Sequence, residues 1–99
     1  MMDEGEAEYI AFVEALMEES RSLTGLGAGI VAALELDIAA DSRTFARLLG
    51  VAHALVLREI SVLGQNGGYI MVRQRDPRTH RTRYELSATG RQLAEQVRR

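Results

Sequence analysis

One arginine-rich stretch, residues 73–86, constrains the fold of this chain more than any other segment. It carries five arginines and one histidine, although the whole chain has a net charge of −2. Apolar and aromatic residues stand at both of its ends, around a polar turn at Asp76–Thr79. Because proline is favoured at the second position of such a turn, the pattern predicts a two-stranded β-ribbon with a basic tip. The predicted strands cover about residues 69–75 and 80–86.

Charge is divided unevenly along the chain. Residues 1–49 hold three arginines against ten acidic residues, a net charge of −7, and residues 50–99 hold nine arginines against four, a net charge of +5. A guanidinium offers a planar fork of donors that suits phosphate groups and guanine edges. We therefore expect an anionic partner, if there is one, to contact the basic half.

Several classes of protein are disfavoured by composition. The 99 residues predict one domain, 1–99, and the absence of cysteine excludes disulfides and thiolate metal sites. The acidic start does not predict a signal peptide, and no apolar run approaches the roughly 20 residues of a membrane span. No catalytic triad, phosphate-binding glycine loop or metal-ligand cluster stands out. We expect a cytoplasmic protein, nucleoid-associated, that is not an enzyme and holds no metal or cofactor.

Hydrophobic periodicity predicts five helices around the ribbon. The first helix, within residues 5–22, is acidic. Its glutamates flank an apolar face made of Tyr9, Ile10, Val13, Leu16 and Met17. The regular parts of the five helices cover about residues 6–20, 26–36, 42–49, 52–65 and 88–97. Residues 38–40 are too short to assign alone and fit a strand of a single bridge.

Local signals mark the ends of these helices. Ser42 and Ser87 are predicted N-caps, and Gly50 suits a left-handed residue at the end of the third helix. The third helix is expected to turn three side chains inward: Phe45, Leu48 and Leu49. The fourth is expected to bury Val56, Ile60 and Leu63.

This order of elements resembles the winged helix-turn-helix transcription regulators, and the MarR-type repressors most closely. The resemblance spans about residues 26–98 and rests on Phe45–Val51, Leu63, Gly68–Ile70, Arg75–Pro77 and Leu86–Gly90. It implies an α+β, mostly helical fold of order α-α-β-α-α-β-β-α. It also implies a repressor that binds double-stranded DNA as a homodimer, and it allows a small-molecule effector without naming one.

In that family the helix at 52–64 enters the major groove, and the ribbon is a wing along the DNA backbone or minor groove. The corresponding DNA-binding positions here are Ser42, Arg43, Arg47, His53, Ala54, Leu57, Arg58, Arg73, Arg75, Arg78, His80, Arg81 and Arg83. The dimer interface would lie on residues 5–22 and use Tyr9, Ile10, Val13, Leu16 and Met17.

The chain departs from the family in its fourth helix. Residues 52–58 are mostly apolar, and only His53 and Arg58 among them can donate to bases or phosphates. Both side chains also fit an ordinary polar surface. Further apolar residues on this helix fit either extra core or a protein interface: Leu55, Leu57 and Val62. An alternative function follows, in which the chain is a protein-interaction module that regulates another transcription factor.

The ribbon arginines also have two interpretations. Alternate residues of a strand share a face, so we expect Arg73 to align with Arg75, and Arg81 with Arg83. The side chains then contact DNA phosphates, or they solubilise the hairpin and pair with acidic residues such as Asp76 and Glu85. On the third helix, Arg43 and Arg47 are neighbours that fit a phosphate clamp or a solvated face.

Overall fold

The two N-terminal helices are in contact at a tyrosine of the first and a glycine of the second. The computed structural model describes residues 3–99, and its first helices are α1 (Glu4–Glu19) and α2 (Gly25–Glu35). The Tyr9 hydroxyl donates to the Gly29 carbonyl oxygen at 3.0 Å. A Cβ atom on Gly29 would lie only 2.8 Å from the Tyr9 hydroxyl oxygen, so a larger residue here would displace the end of the Tyr9 side chain. Both helices agree with the predicted ones within about two residues.

The centre of the core is α2, which is apolar on nearly all sides, as expected for a helix covered by neighbours. Its buried stretch runs from Gly27 to Ala33. Around it lie Phe12 and Leu16 of α1, Val56 and Ile60 of the fourth helix, and the apolar residues of the ribbon.

Helices α3 (Ser42–Leu49) and α4 (His53–Leu63) are joined by a turn at Gly50, whose φ of +66° confirms the predicted left-handed residue. The predicted burial of Val56, Ile60 and Leu63 is confirmed. The prediction for α3 was wrong at two positions, because Leu48 and Leu49 are 54% and 40% exposed. Only Phe45 and Ala46 among its apolar residues are buried, since in the described residues no element covers the side of the helix that carries Leu48 and Leu49.

The N-cap of α3 is Asp41, whereas the prediction was Ser42. The Asp41 carboxylate accepts from the Thr44 backbone N–H at 3.0 Å, and Ser42 is the first residue of the helix. One isolated β-bridge in residues 3–99 joins Asp41 to Arg83, so it lies one residue beyond the predicted 38–40.

The ribbon consists of antiparallel strands β1 (Ile70–Arg75) and β2 (Thr82–Leu86). β2 begins two residues later than predicted, because His80 adopts a left-handed conformation with φ of +62° inside the turn. The Asp76 N–H donates to the Arg81 carbonyl oxygen at 2.9 Å and closes the turn. In β2 buried and exposed residues alternate, whereas β1 buries only Ile70.

Helix α5 (Ala88–Arg98) follows β2 directly. The prediction that Ser87 caps it is confirmed, because the Ser87 hydroxyl accepts from the Gly90 N–H at 3.0 Å. The architecture is α+β and mostly helical, with five helices and one two-stranded sheet in residues 3–99. No helix in that range is long and apolar enough to cross a membrane.

Candidate functional site

The tip of the ribbon is attached to the N-terminal end of α3 by polar contacts. Arg43 of α3 donates from Nη2 to the Thr79 carbonyl oxygen at 2.7 Å, across the turn of the ribbon. Arg81, directly before β2, places its Nε 3.4 Å from Oδ2 of Asp41, the residue before α3. These two contacts join segments almost forty residues apart in sequence.

Asp41 both caps α3 and contacts Arg81 of the ribbon. Its carboxylate caps α3 through the backbone N–H and hydroxyl of Thr44, and its side chain is largely buried while Arg81 is partly exposed. Burial alone would raise the pKa of Asp41, but the Thr44 hydrogen bonds and the Arg81 charge outweigh burial. The pKa therefore lies below its ordinary value, and the carboxylate is charged at neutral pH.

Ser42 lies beneath the ribbon and is fully buried. Its hydroxyl accepts from the Thr82 backbone N–H at 2.9 Å and lies 2.8 Å from His53 Nε2. One side chain thus connects the first residues of α3, β2 and α4. The inclusion of Ser42 among the DNA-contacting residues was wrong, because it has no exposed surface and its hydroxyl is already engaged.

His53 is half-buried at the first turn of α4. Burial and then the positive charge of Arg43 lower the pKa of His53. The neutral imidazole is therefore favoured, and it stands between the buried Ser42 hydroxyl and the arginines nearby.

Three arginines converge beside this junction: Arg43, Arg81 and Arg83. With Asp76 and Thr79 they line one open pocket of about 290 Å³. The expectation that Arg81 and Arg83 lie together is met at this pocket. We call these three residues the arginine cluster. Of these three arginines only Arg81 has a carboxylate within 4 Å in residues 3–99, so positive charge is in excess at the cluster.

The predicted alignment of Arg73 with Arg75 was wrong. The strand register shifts between Val72 and Gln74, so that a β-bulge at Arg73 interrupts the alternation. Arg73 lies 3.8 Å from exposed Glu85, whereas Arg75 Nε donates to Thr82 on the buried face of β2. The ion pair between Arg73 and Glu85 agrees with the second interpretation of the ribbon arginines, in which they pair with acidic residues. Such an exposed pair stabilises the fold little.

The other predicted contact residues lie outside the arginine cluster. Those fully on the surface are Arg47, Ala54, Arg58, Arg78 and His80, and Leu57 is half-buried. Leu55 and Val62, which were open to either interpretation, are 46% and 53% exposed. Two turns apart on α4, they give this helix an apolar strip on its exposed side.

The apolar face of α1 is divided between the core and solvent. Leu16 is fully buried in its own chain, and Tyr9 and Val13 pack against the core. Leu16 was predicted to lie in a dimer interface, but it has no exposed surface for one. Ile10 and Met17 remain exposed.

Residues that the sequence analysis did not select complete this site: Asp41, Thr79 and Thr82. An aspartate directly before a helix is as good an N-cap as a serine, so Asp41 carried a usable signal. Thr79 contributes only its backbone carbonyl and Thr82 mainly its backbone N–H, which residue type does not reveal. Comparisons with family models, with curated proteins and with solved structures found no match for this chain.

Proposed function

We propose that this protein is a winged helix-turn-helix regulator that binds double-stranded DNA. In this proposal α3 and α4 form the helix-turn-helix, α4 enters the major groove, and the β1–β2 ribbon is the wing. The order of the elements and the bridge between Asp41 and Arg83, in place of a first strand, agree with that fold. Repression and nucleoid association belong to the same proposal.

The observation that carries the proposal is the arginine cluster. Guanidinium groups from α3 and the ribbon converge on one pocket, next to the N-terminal turn of α4. A protein that neutralises several phosphates at once gains affinity by releasing counterions. A helix that docks beside such a cluster is held in one orientation on the duplex, because phosphate contacts set register and orientation.

Fluorescence anisotropy with mixed duplex fragments, at low and near-physiological salt, tests the proposal. We expect binding that falls with salt, and we expect Arg83→Gln to weaken it on all sequences alike. The same substitution should reduce the salt slope by about one charge. Arg91→Gln, an exposed arginine on α5, is the matched control and should bind like the wild type.

Absence of binding at low salt would contradict the proposal and favour a second one. The exposed apolar strip on α4, Leu55 and Val62, suits a protein partner better than base edges, where an apolar side chain can only contact a thymine methyl group. In that case the chain is a module that regulates another transcription factor. A defined partner whose binding is lost in Leu55→Gln/Val62→Gln, with Arg83→Gln unaffected, would select it.

A homodimer through α1 stays a prediction. Of the five residues predicted for its interface, only Ile10 and Met17 offer substantial exposed area. Sedimentation velocity of the wild type and of Ile10→Gln/Met17→Gln, over a range of protein concentrations, tests this prediction.

A further inference from the structure

The connection between α4 and the ribbon contains the only asparagine of the chain, Asn66, and a glycine follows it. The two residues lie in an exposed turn, which is closed by the Gly68 N–H donating to the Gln65 carbonyl oxygen at 2.7 Å. Gly67 is left-handed in this turn, with φ of +78°, a conformation that a residue without a Cβ atom adopts at no steric cost. An asparagine and a glycine therefore occupy the two central positions of an exposed turn.

The backbone nitrogen of Gly67 is not engaged by the fold. It donates to no backbone carbonyl oxygen of residues 3–99, because the bond that closes the turn uses the next nitrogen, that of Gly68. Glycine also has no Cβ atom to obstruct the approach of this nitrogen to the Asn66 side chain. Asn66 and Gly67 line an open pocket of about 230 Å³, so water reaches the turn. A nucleophile, a carboxamide and solvent thus meet at one place.

We propose that Asn66 is a site of spontaneous deamidation. The Gly67 nitrogen loses its proton to hydroxide and attacks Cγ of Asn66, which closes a five-membered succinimide ring. The bond between Cγ and Nδ2 breaks, and this nitrogen takes up a proton and leaves as ammonia. Water then opens the ring at one of its two carbonyl carbons, which gives aspartate or isoaspartate. In sum one water is consumed and one ammonia is released, and no oxidant or reductant takes part.

The two products change the turn differently. Both place a carboxylate in the turn after α4, and this one negative charge takes the net charge of the chain from −2 to −3. In isoaspartate the main chain also runs through the former side chain and is one carbon atom longer. The hydrogen-bonded ring between the Gln65 carbonyl oxygen and the Gly68 N–H then gains an atom and loses its present geometry.

The surroundings of the turn leave little room for a longer main chain. A Cβ atom on Gly68 would overlap the Leu63 carbonyl oxygen, so the chain after the turn lies directly against the end of α4. The Gly68 carbonyl oxygen accepts from the Ser87 hydroxyl at 2.7 Å, at the base of the ribbon. Isoaspartate at residue 66 therefore loosens the connection between α4 and the ribbon, whereas aspartate adds only charge. The proposal does not rest on DNA binding, and its test contains no DNA.

Peptide mass mapping of the incubated protein tests the site. The wild type is kept at mildly acidic and at mildly alkaline pH, and trypsin then releases residues 59–73, which contain no second asparagine. On ion exchange we expect a form with one added negative charge. It should appear faster at alkaline pH, because the attacking nitrogen must lose a proton. Electron-transfer fragmentation should place the change at residue 66 and separate isoaspartate from aspartate, and a sample digested without incubation gives the background.

Two variants at the same exposed position are the controls. Asn66→Gln keeps an amide, but its longer side chain would have to close a less favourable six-membered ring. The acidic form should therefore be absent from its residues 59–73 over the same period. Asn66→Asp, freshly purified, carries the charge with an unaltered main chain. The urea concentration at the midpoint of unfolding should fall in the purified isoaspartate form of the wild type, and should change less in Asn66→Asp.

Three results would overturn the proposal. The first is a wild type that is unchanged at residue 66 after incubation at alkaline pH. The second is an equal amount of the acidic form in Asn66→Gln, which would place the reaction at another residue. The third is an isoaspartate form that unfolds at the same urea concentration as the wild type, which would show that the turn accommodates the longer main chain.

Discussion

The base and the tip of the ribbon are held to the helices by different kinds of interaction. At the base, Ile70, Tyr84 and Leu86 are buried in the apolar core. At the tip, Arg43, Asp41 and Ser42 hold the chain through hydrogen bonds and one ion pair. Apolar burial is insensitive to pH and salt over the ordinary range, whereas the polar contacts are not. We therefore expect the position of the tip, which carries Arg81 and Arg83 of the arginine cluster, to be altered more easily than that of the base.

Glycine and serine reinforce the base. A Cβ atom on Gly90 would overlap the carbonyl oxygen of Tyr69, so α5 lies directly against the start of the ribbon. The Ser87 hydroxyl donates to the Gly68 carbonyl oxygen at 2.7 Å. Each end of the ribbon thus has one serine that joins it to a helix start, Ser87 at the base and Ser42 at the tip. Ser87→Ala at the base is therefore a matched control for Ser42→Ala at the tip.

The largest effect is expected at the base. Ile70→Ala removes a buried side chain from the core and should lower the free energy of unfolding by about 2–5 kcal/mol. Urea unfolding followed by circular dichroism measures it. Met71→Ala, one residue further and exposed, should cost less than about 1 kcal/mol. Equal losses at the two positions would mean that the base is not anchored by apolar burial.

Ser42→Ala tests the buried connection at the tip. It removes the acceptor of the buried Thr82 N–H, and an unpaired buried donor costs about 1–3 kcal/mol. Limited trypsin digestion should also cut faster at the ribbon arginines, because the tip is released. Ser87→Ala loses a helix cap at the base and should not accelerate that cleavage. Equal cleavage in both variants would show that the tip does not depend on Ser42.

Asp41→Ala separates the helix cap from the ion pair. Loss of an N-cap costs about 0.5–2 kcal/mol, and the contact with Arg81 disappears as well. Thr24→Ala, which removes the N-cap of α2 only, is the control for the cap. Trypsin cleavage of the ribbon should rise in Asp41→Ala and not in Thr24→Ala. A ribbon equally resistant in both would assign Asp41 to the helix alone.

Tyr84→Phe should stabilise the base slightly, by up to about 1 kcal/mol. The Tyr84 hydroxyl is buried and has no hydrogen-bond partner within residues 3–99, so removing it removes an unpaired polar atom. Burial raises the pKa of Tyr84, in agreement with this apolar surrounding. Thermal unfolding by calorimetry measures the change. A clear decrease in stability would show that the hydroxyl is paired in solution.

The smallest effect is a pH dependence at the tip. The pKa of His53 is lowered by burial and by Arg43, so the folded state favours the neutral ring. Stability from this residue is complete above about pH 6.5, the ordinary histidine value. It declines as the pH falls below that value, because the unfolded chain takes up the proton first. Urea unfolding at closely spaced pH values should show a shallower decline in His53→Gln. An unchanged decline would exclude His53 as its source.

Local structure at both ends of the ribbon was largely predictable from residue types. The presence of a turn beginning at Asp76, the left-handed Gly50 and the Ser87 cap each follow from what one or two residues can adopt, whereas the left-handed His80 that extends the turn was not predicted. The choice between Asp41 and Ser42 as the cap of α3 does not, because both side chains suit the position. Ser42 is drawn inward by a partner forty residues away, the Thr82 N–H, and this leaves the cap to Asp41.

The sequence by itself determined the number and type of the elements, their order and the uneven charge. These depend on the spacing of apolar residues and on short-range capping. Only the tertiary structure decided which apolar faces stay exposed, as at Leu48 and Leu49, and which arginines meet. A bulge at Arg73 reverses the face of β1 on which the following side chains lie. Arg43 can donate to the Thr79 carbonyl oxygen only when two segments distant in sequence fold together. The physical reason is that periodicity records which residues can be buried, whereas burial and pairing depend on what packs against them.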